Sequence, residues 1–332
     1  MQKYRIAIVG VTGLVGQKML EVLLERQIPI SDVLPIASRE SAGKTVSFGD
    51  EKLKVFPLKE NIFEGVDFAL FSAGAQISRE YAPVAVRQGA VVIDNSSAWR
   101  MEPHVPLVVP EVNGHALKTH QGIIANPNCS TIQLVMVLSP LHKRFGVKRV
   151  VVSTYQAVSG SGKAAIKQLK DELHQKNPVE KVYPHPIAYN CLPHIDSFEP
   201  DGYSREEHKM MQETSKIMED ESLAVTATCV RVPVLNGHSE SVNIEFRSPI
   251  TVEGVRKVLE EVPGVVVLDQ PEENIYPLPI LCDGKDEVFV GRIRRDPTVE
   301  NAINLWIVSD NLRKGAATNA VQILQHLINM GG

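Results

Sequence analysis

The chain of 332 residues is 43% hydrophobic and 22% charged, the composition of a globular protein long enough for two domains. A net charge of -4 with no basic stripe excludes nucleic acid and anionic membranes as natural partners and points to a small molecule. No apolar run approaches the ~18 residues of a membrane span, and a strand under way by residue 5 leaves no room for a signal sequence, so the expected location is cytoplasmic.

Over the first ~125 residues, β-rich runs alternate with helical patterns: RIAIV, LVGQKMLEVLLER, VLPIAS, DFALFS, REYAPVAVRQ and AVVID. That rhythm predicts βαβ units and a Rossmann-like parallel sheet covered on both faces, an α/β fold. The second part offers longer β-rich segments, KRVVVSTYQAVS, LAVTATCVRVPVL, ESVNIEFRSPI, EVFVGRIRR and NAINLWIVSD. Helices such as AAIKQLKDELHQ and VEGVRKVLEEV lie between them, which predicts an α+β domain with a mostly antiparallel sheet and helices against one face. From Arg313 to Met330, residues Ala317, Val321, Leu324 and Ile328 recur at helical spacing, an amphipathic helix expected to pack back on the first domain. With no repeat or long linker between the parts, the expected domains are 1–128 with 312–332, and 129–311.

After the first strand, GVTGLVG places Gly10, Gly13 and Gly16 ahead of a helix. Glycine lets the backbone approach a pyrophosphate and the helix start supplies donors, so this turn predicts a dinucleotide site, although its spacing departs from GxGxxG and a purely structural turn is the alternative. The second strand ends in ASRES, without the acid that would meet a ribose 2′-hydroxyl. Ser38 and Arg39 are donors, and the guanidinium suits a 2′-phosphate, which favours NADP; a solvated loop arginine beside Glu40 is the competing reading.

NPNCST, residues 126–131, follows the apolar run GIIA. Pro127 discourages a helix through it, Asn128 reads as an N-cap, and Cys129 then opens the helix, where orphan N–H groups and the dipole favour the thiolate. The alternative is a small buried apolar residue. Further on, VRVPVLNGHSESVNIEF contains Asn236-Gly237, which predicts a two-residue hairpin turn pairing Leu235 with His238, Pro233 with Glu240 and Arg231 with Val242. Arg231, His238 and Glu240 then share one face, and either Glu240 or a ligand carboxylate must answer the arginine. Four cysteines, Cys129, Cys191, Cys229 and Cys282, include no CxxC pair, so neither a zinc ribbon nor a disulfide framework is expected. His185, Cys191 and His194 lack a fourth ligand, and no metal is expected. Lys167 and Asp171, four apart, read as a solvated helix face.

GVTGLVG, DNSSAWRM, VVPEVN, NPNCSTIQ, QAVSGSG, RVPVLNGHSE, GRIRRD and RKGAATNAVQI together resemble the aspartate-β-semialdehyde dehydrogenase family nearly end to end. The resemblance implies NADPH-dependent reductive dephosphorylation of aspartyl phosphate to aspartate semialdehyde through a cysteine thioester, in the branch leading to lysine, methionine and threonine. It implies Cys129 as nucleophile, His238 as acid/base and Gln156 holding the tetrahedral intermediate. Arg231 would grip the substrate carboxylate and Glu206, in preference to Glu207, its amino group, with Asn128 also at the substrate. Arg100 and Lys209 would take the phosphate; Glu206 and Lys209, three apart on a helix, are neighbours independently of the resemblance. Cofactor contacts are implied at Gly10, Thr12, Gly13, Leu14, Val15, Gly16, Ser38, Arg39, Ser41, Ser72, Gly74, Ser159, Gly160 and Asn319. The family also implies a homodimer or homotetramer joined through the second domain. Two rival readings are an N-acyl-glutamyl-phosphate reductase and a catalytically silent nucleotide-binding relative, which would lack the cysteine.

Overall fold

The computed structural model describes residues 2–178 and 180–331. The chain divides into two compact units, Met1–Asn128 with Ala316–Gly332, and Cys129–Gly315.

In the first unit the strands are β1 (Tyr4–Val9), β2 (Ile30–Ala37), β3 (Thr45–Phe48), β4 (Glu51–Lys54), β5 (Phe56–Pro57), β6 (Phe68–Phe71), β7 (Val91–Asp94) and β8 (Ile123–Ala125). Six of them form one sheet in the order β5-β2-β1-β6-β7-β8, every pairing parallel, while β3 and β4 make a small antiparallel hairpin. The sheet strands are almost continuous apolar runs because helices cover both faces. On one side Ile6, Ile8 and Leu70 pack with Met19 and Leu23 of α1 (Leu14–Glu25) and with Val321 and Leu324 of the last helix, Thr318–Asn329. On the other, Ala7, Val9 and Phe71 pack with Ala82 and Ala85 of α2 (Ala75–Arg87). The tail helix therefore does return to the first unit. A short α3 (Pro110–Asn113) precedes β8.

The second unit has strands β9 (Val147–Gln156), β10 (Ala224–Arg231), β11 (His238–Phe246), β12 (Val265–Val267), β13 (Val288–Arg295) and β14 (Ala302–Ser309), in the order β10-β9-β11-β14-β13-β12. The β9/β11, β11/β14 and β13/β14 pairings are antiparallel, whereas β9/β10 and β12/β13 are parallel. Helices α4 (Cys129–Phe145), α5 (Lys163–Leu173), α6 (Arg205–Met218), α7 (Val252–Glu260) and α8 (Pro279–Cys282) complete it. Helix α4 is buried nearly all round, as a central helix that is apolar on every side must be. Lys167 and Asp171 pair on α5 at 2.5 Å.

The predicted hairpin does not exist. Strand β9 lies between β10 and β11, parallel to one and antiparallel to the other. Asn236-Gly237 still reverses the chain, with Gly237 at φ +87°, but the segment before it bonds to the loop after β9: Val158 N–H to Val234 O at 2.8 Å and Ser159 N–H to Leu235 O at 3.1 Å. A ten-residue strand able to pair along both edges outcompetes the local turn. The shared face survives for another reason. Arg231 is level with Gln156 and Glu240 with Thr154, and residues two apart on β9 point the same way.

Among the described residues, no helix is long and apolar enough to cross a membrane.

Candidate active site

In the first unit the strand order reverses between β1 and β6, and such a switch point at the carboxyl ends of strands is where α/β sheets bind ligands. The glycine turn follows β1 there. Gly10, at φ +88°, is so close to β6 that a Cβ would stand 2.3 Å from Ser72 O, and one on Gly16 would stand 2.4 Å from Gly10 O. These two glycines let the turn close on itself. Helix α1 begins at Leu14 and Val15 behind Gly13, and α2 begins behind Gly74, neither with a side-chain cap. Two helix starts thus aim uncapped N–H groups at the switch point, a cradle that fits a pyrophosphate. Thr12 lies in the same turn; Ser38 and Arg39 are exposed just past β2, with Ser41 closing the short 3₁₀ turn that follows. Asn319 is buried and donates from Nδ2 to Val108 O and Asn126 Oδ1, so it also ties the tail helix to β8. Arg100, buried after β7, donates to Asn95 O at 2.9 Å.

In the second unit α4 begins at Cys129, the position assigned to it by Pro127 and Asn128. The thiol is half-buried, while Cys229 and Cys282 are buried and Cys191 is exposed. A side chain at Gly315 would bring its Cβ to 2.9 Å from Cys129 Cβ, so only glycine lets that backbone lie against the cysteine. Alignment of α4 with β11 follows from two contacts. Phe145 meets Phe246 edge to face at 5.8 Å, and Gln133 lies beside Glu240. From Gln133 to Phe145 the helix rises about 18 Å, and from Glu240 to Phe246 the strand spans about 20 Å, so the two run side by side. One more helical turn reaches Cys129 and two more strand residues reach His238, about 6 Å further in each case. Cys129 and His238 therefore come level at the same end.

His238 is fully buried, and its Nδ1 accepts the Ala157 N–H at 3.1 Å, which leaves the ring proton on Nε2. Burial, reinforced by the Arg231 cation, pushes its pKa down to about 3, so it is neutral at working pH. Arg231 is 4% exposed and donates from Nη1 to Ala157 O at 2.6 Å; its Nε has no partner among the described residues. A Cβ on Gly160 would stand 3.0 Å from Arg231 Nη1 and 3.2 Å from His238 Nε2, so the bare glycine lets its backbone lie against both groups. No ion pair joins Arg231 to Glu240 among the described residues, against the first of the two answers considered for the arginine. Burial raises the Glu240 carboxyl well above the ordinary range, opposed by Gln133 beside it, and among the described residues no terminal atom of either side chain has a hydrogen-bond partner.

Gln156 donates from Nε2 to Thr154 Oγ1 and Glu206 Oε1, both at 3.2 Å. Lys209 bridges Glu206 at 3.1 Å and Asp196 at 2.8 Å. Burial opposes the Lys209 charge, but those two carboxylates outweigh it and raise its pKa; burial likewise opposes ionisation of Asp196, and the lysine more than offsets it. Glu207 faces elsewhere. It closes a capping box with Ser204 and accepts the Cys229 N–H at 2.9 Å. Ser159 is buried against Asn311, at 3.0 Å from its Nδ2. The second unit thus gathers Cys129, Gln156, Gly160, Glu206, Lys209, Arg231 and His238. Sequence reasoning missed three contributors: the Ala157 peptide, Asp196 and Gly315. Only Asp196 left a signal, in the LPHID loop whose backbone at Leu192 pairs with Arg231. Among the described residues no group of three or more His, Cys, Asp or Glu side chains is placed to hold a metal, and His194 instead stacks on Phe198.

A glycine turn at the switch point of one unit, with a cysteine at a helix start and a buried histidine level with it in the other, fits the class of aldehyde dehydrogenases that bind a nicotinamide nucleotide. Two family models match, "Semialdehyde dehydrogenase, NAD binding domain" over residues 5–120 and "Semialdehyde dehydrogenase, dimerisation domain" over 138–314. The aspartate-semialdehyde dehydrogenase of Aquifex aeolicus (strain VF5) is 54% identical over 336 residues, covering 99% of each chain. The crystal structure of aspartate semialdehyde dehydrogenase II from Vibrio cholerae, complexed with ASA, is similar with a TM-score of 0.95 at 45% identity, covering 99% of each chain. That of the Candida albicans enzyme with NADP has a TM-score of 0.76 at 26% identity, covering 98% of each. The chain belongs to the aspartate-semialdehyde dehydrogenase family.

Proposed function

We propose that the protein reduces L-aspartyl 4-phosphate to L-aspartate 4-semialdehyde, releasing phosphate, through a thioester on Cys129. The observation that carries this reading is a half-buried cysteine at a helix start, level with a buried histidine and an arginine that has no carboxylate partner among the described residues. Arg231 clasps the α-carboxylate, and Glu206 takes the amino group at the end of the Glu206–Lys209–Asp196 row. Lys209, with a donor to spare, and Arg100 receive the phosphate. The Cys129 thiolate attacks the acyl carbon, the C–O bond to phosphate breaks, and a thioester remains. Backbone N–H groups at the start of α4 and an N–H of Gln156 turned from Glu206 face the oxyanion. When bound, the nicotinamide supplies the hydride that reduces the thioester. The C–S bond then breaks, and Cys129 leaves as thiolate.

The first unit is read as the dinucleotide domain and the second as the catalytic and oligomerisation domain, in a homodimer or homotetramer. NADP is favoured over NAD because Ser38 and Arg39, both exposed, stand where an acid would otherwise select the 2′-hydroxyl. Four cysteines that form no disulfide among the described residues suit a reducing compartment, hence the cytoplasm. The test is phosphate-dependent reduction of NADP by the purified protein given aspartate semialdehyde. Activity with acetylglutamate semialdehyde in its place, and none with aspartate semialdehyde, would overturn the reading.

A further inference from the structure

His238 opens β11 at a point where the strand ladder gives out. Its backbone pairs with Ser309 at the end of β14, but Gly237 before it lies in the turn at φ +87°, where a Cβ would stand 3.0 Å from Pro279. Ahead of the turn the chain is bonded to the loop after β9, Val158 N–H to Val234 O and Ser159 N–H to Leu235 O. Past the turn, a side chain takes over. Asn311, two residues beyond β14 and 3% exposed, accepts the Gly237 N–H on Oδ1 at 2.9 Å. A backbone N–H can only donate, so this bond fixes which way the amide is turned, and Nδ2 donates to Ser159 Oγ at 3.0 Å. The two bonds close a circuit. From Asn311 it runs through Gly237 to His238, from ring Nδ1 to the Ala157 N–H at 3.1 Å, and along the loop to Ser159 and back. One amide thereby steadies both the backbone that carries the imidazole and the peptide that orients the ring. Asn311 is itself set firmly, because Asp310 Oδ1 accepts the Leu312 and Arg313 N–H groups at 2.8 and 3.1 Å and its Oδ2 accepts the Gly284 N–H at 2.8 Å. Arg231 hangs from different bonds: its backbone is level with Gln156 of β9 and exchanges N–H···O bonds in both directions with Leu192.

Resting on the function proposed above, we infer that Asn311 is a positioning residue for that reaction: its amide clamps the Gly237 turn to the Ser159 loop and so holds the His238 ring level with Cys129. A reacting group is useful only within a narrow tolerance, and a support whose own rotamer is locked keeps it there. Misplacement by about 1 Å costs on the order of 100-fold in rate. The clamp acts on His238 more than on Arg231, whose backbone bonds lie outside the circuit. Loss of Asn311 should therefore show in kcat rather than in the grip on the substrate carboxylate.

The test compares two substitutions, with kinetics run well below the lower of their thermal midpoints. Asn311→Leu removes both bonds at similar volume and should lower kcat by about tenfold to 100-fold, with KM for aspartate semialdehyde within about threefold of wild type. Asn311→Asp keeps an acceptor for the Gly237 N–H and offers a second to the Ser159 hydroxyl, whose Oγ already lies 3.3 Å from Oδ1. It should recover most of that loss. Hydrogen exchange at the Ala157 amide, which needs no substrate, should quicken in the leucine variant and stay close to wild type in the aspartate variant. Should Asn311→Leu not fold, Asn311→Ser, which leaves room for a water at the two abandoned groups, takes its place with the same expected loss. A folded leucine or serine variant with kcat near wild type, an Asn311→Asp no more active than it, or unchanged exchange at Ala157 would each overturn the inference. Wild-type turnover of aspartate semialdehyde in the same assay separates its failure from failure of the proposed reaction.

Discussion

Arg231→Lys asks what answers the buried arginine. The guanidinium is 4% exposed and uses Nη1 on Ala157 O at 2.6 Å, while among the described residues its Nε has no partner and Glu240, on the same face and with its carboxyl pushed up by burial, is not paired with it. A substrate carboxylate reaching the guanidinium would complete the fork with two parallel N–H bonds. Lysine keeps the charge but loses that planar geometry. Charge-assisted hydrogen bonds of this kind contribute about 1.5–3 kcal/mol, and at 1.36 kcal/mol per tenfold the loss in kcat/KM should be roughly 10- to 150-fold. Because no carboxylate among the described residues is paired with Arg231, the thermal midpoint should move by only a few degrees, about what 1 kcal/mol shifts in a chain of this size. The assay is phosphate-dependent NADP reduction across a range of aspartate semialdehyde concentrations, with a thermal melt of each protein. A nearly unchanged kcat/KM alongside a large fall in midpoint would refute the substrate role and make Arg231 a structural cation.

Cys129→Ala should abolish turnover while fluorescence titration with NADPH gives a near-normal Kd, since the glycine turn and the cysteine lie in different units; weakened nucleotide binding of equal size would count against that division of labour. Arg39→Ala should raise KM for NADP several-fold more than KM for NAD, and equal changes would remove Arg39 from the 2′-phosphate. Glu240→Gln should raise the thermal midpoint at neutral pH. Its raised folded pKa means the unfolded chain gives up the proton first, so wild-type stability falls as pH climbs from about 4 toward the folded value, and the glutamine has no such loss. The gap between the two proteins should close below about pH 4 and widen above it; a gap constant with pH would mean that Glu240 is not held protonated.

Much of this was written locally in the chain. The apolar strand runs and the glycine turn define the parallel sheet, and Pro127-Asn128 defines where α4 starts. Even the choice of Glu206 over Glu207 was available. SREE carries a capping-box signature, Ser204 followed three residues later by Glu207, which commits Glu207 to the helix start and leaves Glu206 for Gln156. What could not be read was pairing at a distance. Nothing in VRVPVLNGHSESVNIEF announces that β9, about 70 residues earlier, will separate its two strands, because a strand's partner is chosen by whole-sheet packing rather than by the turn. The same limit hid the Ala157 peptide, whose N–H fixes the His238 tautomer, and Gly315 against Cys129. Backbone groups leave no trace in residue identity.

The central claim is a covalent one, an acyl group carried on Cys129. Wild-type protein mixed with aspartyl phosphate in the absence of nucleotide, quenched in acid and mapped by mass spectrometry, tests it directly. Burial raises the Cys229 and Cys282 thiols, the latter to about 12, so they are poor nucleophiles, and exposed Cys191 serves as an internal control. The account predicts one aspartyl adduct, on the peptide containing Cys129, absent from Cys129→Ala and discharged when NADPH is added before the quench. No adduct, or an adduct on Cys191, Cys229 or Cys282 with Cys129 unmodified, would contradict it.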